Sequence, residues 1–170
     1  MVMSKYAAKI DLITNILTII VAILLIGLFV QRYIFPSNAG ERSKSPTIGK
    51  AILVDNLDTS KSSKNVLIVM MKGCRFCEES MDFYKHLIQQ NQGNDVKIVA
   101  VFPPGSKDIE TYLKTHGVIG IEVKYSELSQ LEVDGTPTII ITDENGKIAK
   151  SWVGKLSSEK EMEVTSFLHS

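Results

Sequence analysis

Cysteine is almost missing: Cys74 and Cys77, both in "KGCRFCEES", are the only two in 170 residues. With no third cysteine, the C-x-x-C pair has three readings: a redox pair, part of a metal site, or a structural staple. An excess of charge is missing too, with 19 basic and 19 acidic residues. No basic patch stands out, so nucleic-acid binding has no electrostatic support. There is no internal repeat. Hydrophobic residues make up 44% of the chain, which argues against disorder. The length suits one ordinary domain plus an appendage.

Charge is also absent between Asp11 and Arg32. From Leu12 to Val30 the only polar side chains are Thr14, Asn15 and Thr18. A bilayer core about 30 Å thick takes about 20 apolar residues at helical rise, and Tyr33 and Phe35 add an interfacial aromatic flank. A buried core helix is rarely apolar on every face. Ser37-Asn38-Ala39 offers small residues to a signal peptidase. However, Arg32, Tyr33 and Phe35 intervene, and the run is long for a signal sequence. The expectation is a tail at 1–11, an uncleaved transmembrane anchor at 12–35, a Ser/Gly/Pro-rich linker at 36–50 and a folded domain at 51–170. Lys5 and Lys9 flank one side of the anchor, and Arg32, Arg42, Lys44 and Lys50 the other. This count leans towards an N-terminus outside the cytoplasm.

Within the domain, strand and helix patterns alternate. Ala51–Val54 is a short apolar run and a candidate first strand. "VLIVMM", Val66–Met71, reads as a strand buried on both faces. Phe76, Ser80, Phe83, Tyr84, Leu87 and Ile88 fall on one face of a helix that Gly93 stops. Val96–Phe102 is a strand. Ser106 is placed to cap a helix carrying Ile109, Tyr112 and Leu113, closed near Gly117. "IEVKYS" reads as a short strand or an extended loop. Thr138–Thr142 and Lys147–Val153 form a hairpin around "DENG". Ser158 and Glu161 make a capping-box pattern for the last helix. Such alternation predicts an α/β domain with a parallel core and an antiparallel edge.

A C-x-x-C at a strand-to-helix junction in this pattern is a redox signal. Exchange needs a thiolate that attacks sulfur and a second thiol that resolves the mixed disulfide. At a helix N-terminus, free N–H groups and the dipole favour the Cys74 thiolate. Cys77, one turn in, suits the resolving role. Arg75 adds positive charge, and Glu78 and Glu79 oppose it. A staple closing so small a loop would stabilise little. Structural zinc takes about four ligands, and His86, His116 and His169 stand at no zinc-finger spacing from the pair. Metal delivery by the two thiolates alone stays open. Met70 and Met71 read as core, Trp152 as packing under the last helix, "SSEKEME" as a solvated face and Pro103-Pro104 as a turn.

The strand "VLIVMM", the motif "GCRFC" and the later "GTPTIII" together resemble the thioredoxin superfamily, in the style of its membrane-anchored, extracytoplasmic bacterial members. The resemblance covers roughly Pro46–Ser170. It implies a thioredoxin-like fold, a central mixed β-sheet flanked by helices, preceded by one N-terminal transmembrane helix. It implies a thiol–disulfide oxidoreductase with Cys74 attacking and Cys77 resolving. Thr136, Pro137, Arg75 and Phe76 would contact substrate, with Pro137 in the family's cis-proline position and Gly154 in that of a family glycine. No metal or organic cofactor is implied. The implied partners are protein thiols or disulfides and a redox partner, with the domain facing the periplasm or exterior, against the charge count. Three positions depart from the family. Gly73 stands where Trp is frequent. No acid lies in "VLIVMMKGC", where thioredoxins carry one for proton transfer. Ser80 stands where some anchored relatives carry Glu. Two other classes compete, a non-catalytic docking scaffold and a peroxidase. No Pro-x-x-x-Thr/Ser pattern precedes either cysteine, which weighs against the peroxidase.

Overall fold

The computed structural model describes residues 15–27, 45–52, 54–55 and 57–169. The chain divides into two compact units, Met1–Arg42 and Ser43–Ser170. In the first, residues 15–27 form helix α1, exposed along its whole length. Among the described residues no helix is long and apolar enough to cross a membrane. The predicted anchor, 12–35, lies partly outside the described residues.

The second unit is built on five strands in the order β3-β2-β1-β4-β5. Strand β1 is Lys64–Val69, β2 Val96–Phe102, β3 Glu122–Tyr125, β4 Thr138–Asp143 and β5 Ile148–Val153. β1 pairs in parallel with β2, and β2 with β3, while β4 runs antiparallel to both β1 and β5. The sheet is therefore mixed, and "IEVKYS" supplies an edge strand. Four helices accompany it: α2 (Arg75–Glu78), α3 (Met81–Gln90), α4 (Ile109–Thr115) and α5 (Ser158–Leu168).

β1 is central, and alternate side chains feed two cores. Val66, Ile68 and Met70 join Met81, Tyr84 and Leu87 of α3, Ile109 and Leu113 of α4, and Val164 and Leu168 of α5. Leu67 and Val69 point the other way, to Ile52, Val54, Leu131 and Val133. All four domain helices thus lie on one face, and irregular segments cover the other. Two successive crossovers, β1 to β2 to β3, step the same way across the sheet; with one common hand they put α3 and α4 on the same side.

Several local expectations are corrected. Ala51 makes only an isolated bridge to Lys147. Residues 45–50, assigned to the linker, are bound to the domain: Gly49 N donates to Ile148 O at 2.7 Å and Ile148 N to Lys50 O at 2.9 Å. The helix after the cysteines is broken at Glu79-Ser80. There Ser80 N donates to Cys77 O, three residues back, and Ser80 Oγ to Phe76 O at 2.8 Å. Cys77 is buried with Met81, Tyr84 and Leu87 on one helical face, and Phe76, grouped with that face by spacing, lies at its margin and is 54% exposed. Ser106 does not cap α4. Its hydroxyl donates to Pro103 O at 2.7 Å, and Asp108, at φ 56°, is the N-cap. The N-cap of α5 is Ser157, not Ser158, without a side-chain cap bond. Met71 leaves the core after the strand ends and is 46% exposed, whereas Met70 is fully buried. Trp152 does pack with Val164 and Leu168 of α5, and its Nε1 donates to Glu163 Oε2 at 3.3 Å.

Candidate active site at the end of strand β1

Strand β1 ends in a tight turn over Met71–Cys74, closed by Cys74 N donating to Met71 O at 3.2 Å. Gly73, third in that turn, has φ 80°. A side chain is strained there, so glycine, not Trp, fits this backbone. The turn delivers Cys74 as the N-cap of α2, and Cys77 N donates to Cys74 Sγ at 3.3 Å. Cys74 is half-buried and Cys77 fully buried; both are free thiols.

The opposite wall comes from the strand register. Val69 pairs with Thr138 of β4, so the residues just before β4 lie beside the turn that follows β1. The Thr136-Pro137 peptide bond there is cis. Cys74 Sγ donates to Thr136 O at 3.4 Å. Two further bonds hold this loop: Thr138 Oγ1 to Gly135 O at 2.7 Å, and Gly154 N to Pro137 O at 2.7 Å. Gly154 makes its bond at φ 85°.

The two sulfurs differ electrostatically. Partial burial disfavours a Cys74 thiolate. Hydrogen bonds from the Cys77 thiol, the Thr136 side chain and the N–H groups of Cys77 and Phe76 outweigh it, and the Cys74 pKa is lowered. For Cys77, burial is the main cause and the hydrogen bond to Cys74 adds to it; the thiol is pushed up to about 12. The outer sulfur is thus the better nucleophile, and the inner one holds its proton.

Cys74, Cys77, Thr136 and Pro137 are brought together. Arg75 and Phe76 lie on the outer face of α2. Arg75 Nε donates to Glu79 Oε1 at 2.7 Å, and Lys155 Nζ to Glu79 Oε2 at 2.9 Å. Lys155 and then Arg75 hold the Glu79 carboxyl below the usual carboxylate range. Arg75 is therefore held by Glu79, a carboxylate that it shares with Lys155. Three neighbours escape the sequence reading. Met71 is exposed beside the motif, Lys155 follows Gly154, and the Tyr112 Oη is buried without a hydrogen-bond partner. The placing of Gly154 was the signal for Lys155. A tyrosine amid the apolar face of α4 was the signal for Tyr112. Among the described residues no three His, Cys, Asp or Glu side chains cluster as metal ligands.

The fold of this domain is shared by solved structures. No curated protein sequence matches the chain. A thiol:disulfide interchange protein from a Bacteroides species superposes with a TM-score of 0.58 at 15% identity, covering 75% of this chain and 92% of its own. The thioredoxin domain of a thiol-disulfide oxidoreductase from Bacteroides vulgatus does so with a TM-score of 0.57 at 14% identity, covering 75% and 99%. The exposed lipoprotein thioredoxin of Streptococcus pneumoniae gives 0.52 at 20% identity, covering 64% and 87%. At these identities the likeness is one of fold. Residues 57–165 match the thioredoxin-like domain family, and the chain belongs to that family.

Proposed function

We propose that the chain is a thiol–disulfide oxidoreductase that exchanges electron pairs with protein thiols and disulfides through Cys74 and Cys77. The observation that carries this is the asymmetry of the pair: a partly exposed sulfur with a lowered pKa over a buried thiol pushed up to about 12. In the reductive direction the Cys74 thiolate attacks a substrate disulfide and forms a mixed disulfide. Cys77 then attacks Cys74 Sγ, and the substrate leaves with the electron pair. Thr136, Pro137, Phe76 and Arg75 form the rim that an incoming chain meets. The Thr136 backbone, beside Cys74, is placed to pair with that chain. A partner of matching potential restores the starting state.

The charge-free run over residues 12–31 supports a membrane anchor at 12–35. The exposed lipoprotein thioredoxin among the similar structures supports a domain facing the periplasm or cell exterior. Reporter fusions after Ser170 test this placement: a reporter that works only in the cytoplasm must stay silent there. For the chemistry, Cys77→Ser should trap partner proteins as mixed disulfides through Cys74, and Cys74→Ser should trap none. Equal trapping by both variants would overturn the assignment of roles.

A further inference from the structure

The two edges of the sheet are finished differently. At β5, Gly49 and Lys50 bond to Ile148, and Ile52 N donates to Gly146 O at 3.0 Å, so residues 49–52 cover that edge. At β3 no described segment does so. Ser126 N, just past the strand, donates to Phe102 O at 3.0 Å, towards β2. Backbone groups alternate along a strand, so Glu122 and Lys124 also face β2. Ile121, Val123 and Tyr125 then present N–H and C=O to the open edge, a template for another strand.

The side chains of this edge sort by face. Ile121 and Val123 pack against the helix-side core, and Tyr125 follows them by alternation. Together with Leu113 of α4, Val118 and Ile119 they line an open hollow of about 470 Å³ between α4 and the edge. Ile119 and Tyr125 are exposed there. Glu122 and Lys124 lie on the other face, where Glu122 binds Lys97 at 3.0 Å and Lys124 at 2.7 Å.

The run Ile121-Glu122-Val123-Lys124-Tyr125 is complementary to itself when reversed. We propose that two copies of the chain pair antiparallel along this edge, with Val123 opposite Val123 of the second copy. Ile121 then meets Tyr125 of the second copy on the helix side, and Glu122 meets Lys124 of the second copy on the other. The Val123 pair and both Ile121–Tyr125 pairs exchange their free backbone groups across the seam. The tyrosine of each copy packs into the hollow of the other. Charged residues on an edge ordinarily guard it against pairing. Two residues apart and opposite in sign, they instead select one register and one partner. A slip of two residues either way sets Glu122 against Glu122 or Lys124 against Lys124, and like charges directly opposite are destabilising. The cysteine pair follows β1, which β2 separates from this edge, so the contact does not use it.

The test is sedimentation equilibrium of the reduced full-length chain in density-matched detergent micelles, over a range of protein concentrations. Wild type should move from the mass of one chain to that of two. Glu122→Lys and Lys124→Glu each turn two attractive cross-strand pairs into repulsive ones, and each should raise the dissociation constant at least about tenfold. An equal mixture of the two variants should regain the wild-type value, because the lysines of one face the glutamates of the other. That recovery also shows that both variants fold. Wild type that stays a single chain throughout overturns the proposal and leaves the edge to an extended segment of another protein. Association that neither variant weakens overturns it too, and places the contact on another surface. A mixture no stronger than the separate variants does the same, since the reversals then act on folding rather than on a paired edge.

Discussion

Cys74 Sγ lies 3.4 Å from the carbonyl oxygen of Thr136, across 62 residues of sequence. That contact follows from the pairing of β1 with β4, which sets Val69 opposite Thr138. Cys74 and the Thr136-Pro137 loop are thus brought together by the register of the central sheet.

The lowered Cys74 pKa predicts selective modification. At pH 7, limiting iodoacetamide should label Cys74 and leave Cys77 untouched, as read by peptide mass mapping. Equal labelling would contradict the difference in burial and ionisation between the two sulfurs.

Cys77 also links stability to pH. Its folded pKa is raised, so its contribution is fully present below the unfolded thiol value, about 8.5. It is lost as pH rises towards about 12, because the unfolded chain ionises there and the folded one does not. Denaturation of the reduced protein should therefore show falling stability above about pH 8.5. Cys77→Ala should flatten that fall.

Gly73 sits at φ 80°, and a side-chain carbon added there would meet only open space. Gly73→Ala should therefore be strained by its backbone alone, destabilising the protein by about 1–2 kcal/mol in urea titrations. The same change should slow Cys74 attack by misplacing the turn. An unchanged midpoint would mean that the turn adapts freely.

The two methionines should behave oppositely. Met70 is fully buried, and Met70→Ala should destabilise by about 2–5 kcal/mol. Met71 is 46% exposed, and Met71→Ala should stay within about 0.5 kcal/mol. Equal effects would return Met71 to the core.

That contrast marks what a sequence carries and what it does not. β1, β2 and the β4–β5 hairpin are legible because buried strands are continuous β-branched runs and the "DENG" turn has its own chemistry. The thioredoxin-like fold is legible from "GCRFC" and "GTPTIII" with the element order between them. Boundaries are less so. An apolar run does not say at which residue the backbone turns away, so the run alone places Met71 in the core. Helical spacing gives a face but not its edge: it groups Phe76 with Tyr84 and Leu87, and Phe76 lies at the margin of that face and is 54% exposed. Arg75 finds Glu79 one turn on, and Lys155 comes from a distant loop, which spacing along the chain does not show.

The most direct measurement is the redox equilibrium of the full-length chain in thiol/disulfide buffers of known potential, with thiol trapping of Cys74 and Cys77. A single reversible two-electron transition is expected, changing tenfold in ratio per about 30 mV, with a midpoint between about −270 and −120 mV. Loss of that transition in Cys74→Ser should accompany it. If both thiols stay reduced across the whole range, the pair is not a redox couple, and the thioredoxin-like domain serves some other purpose.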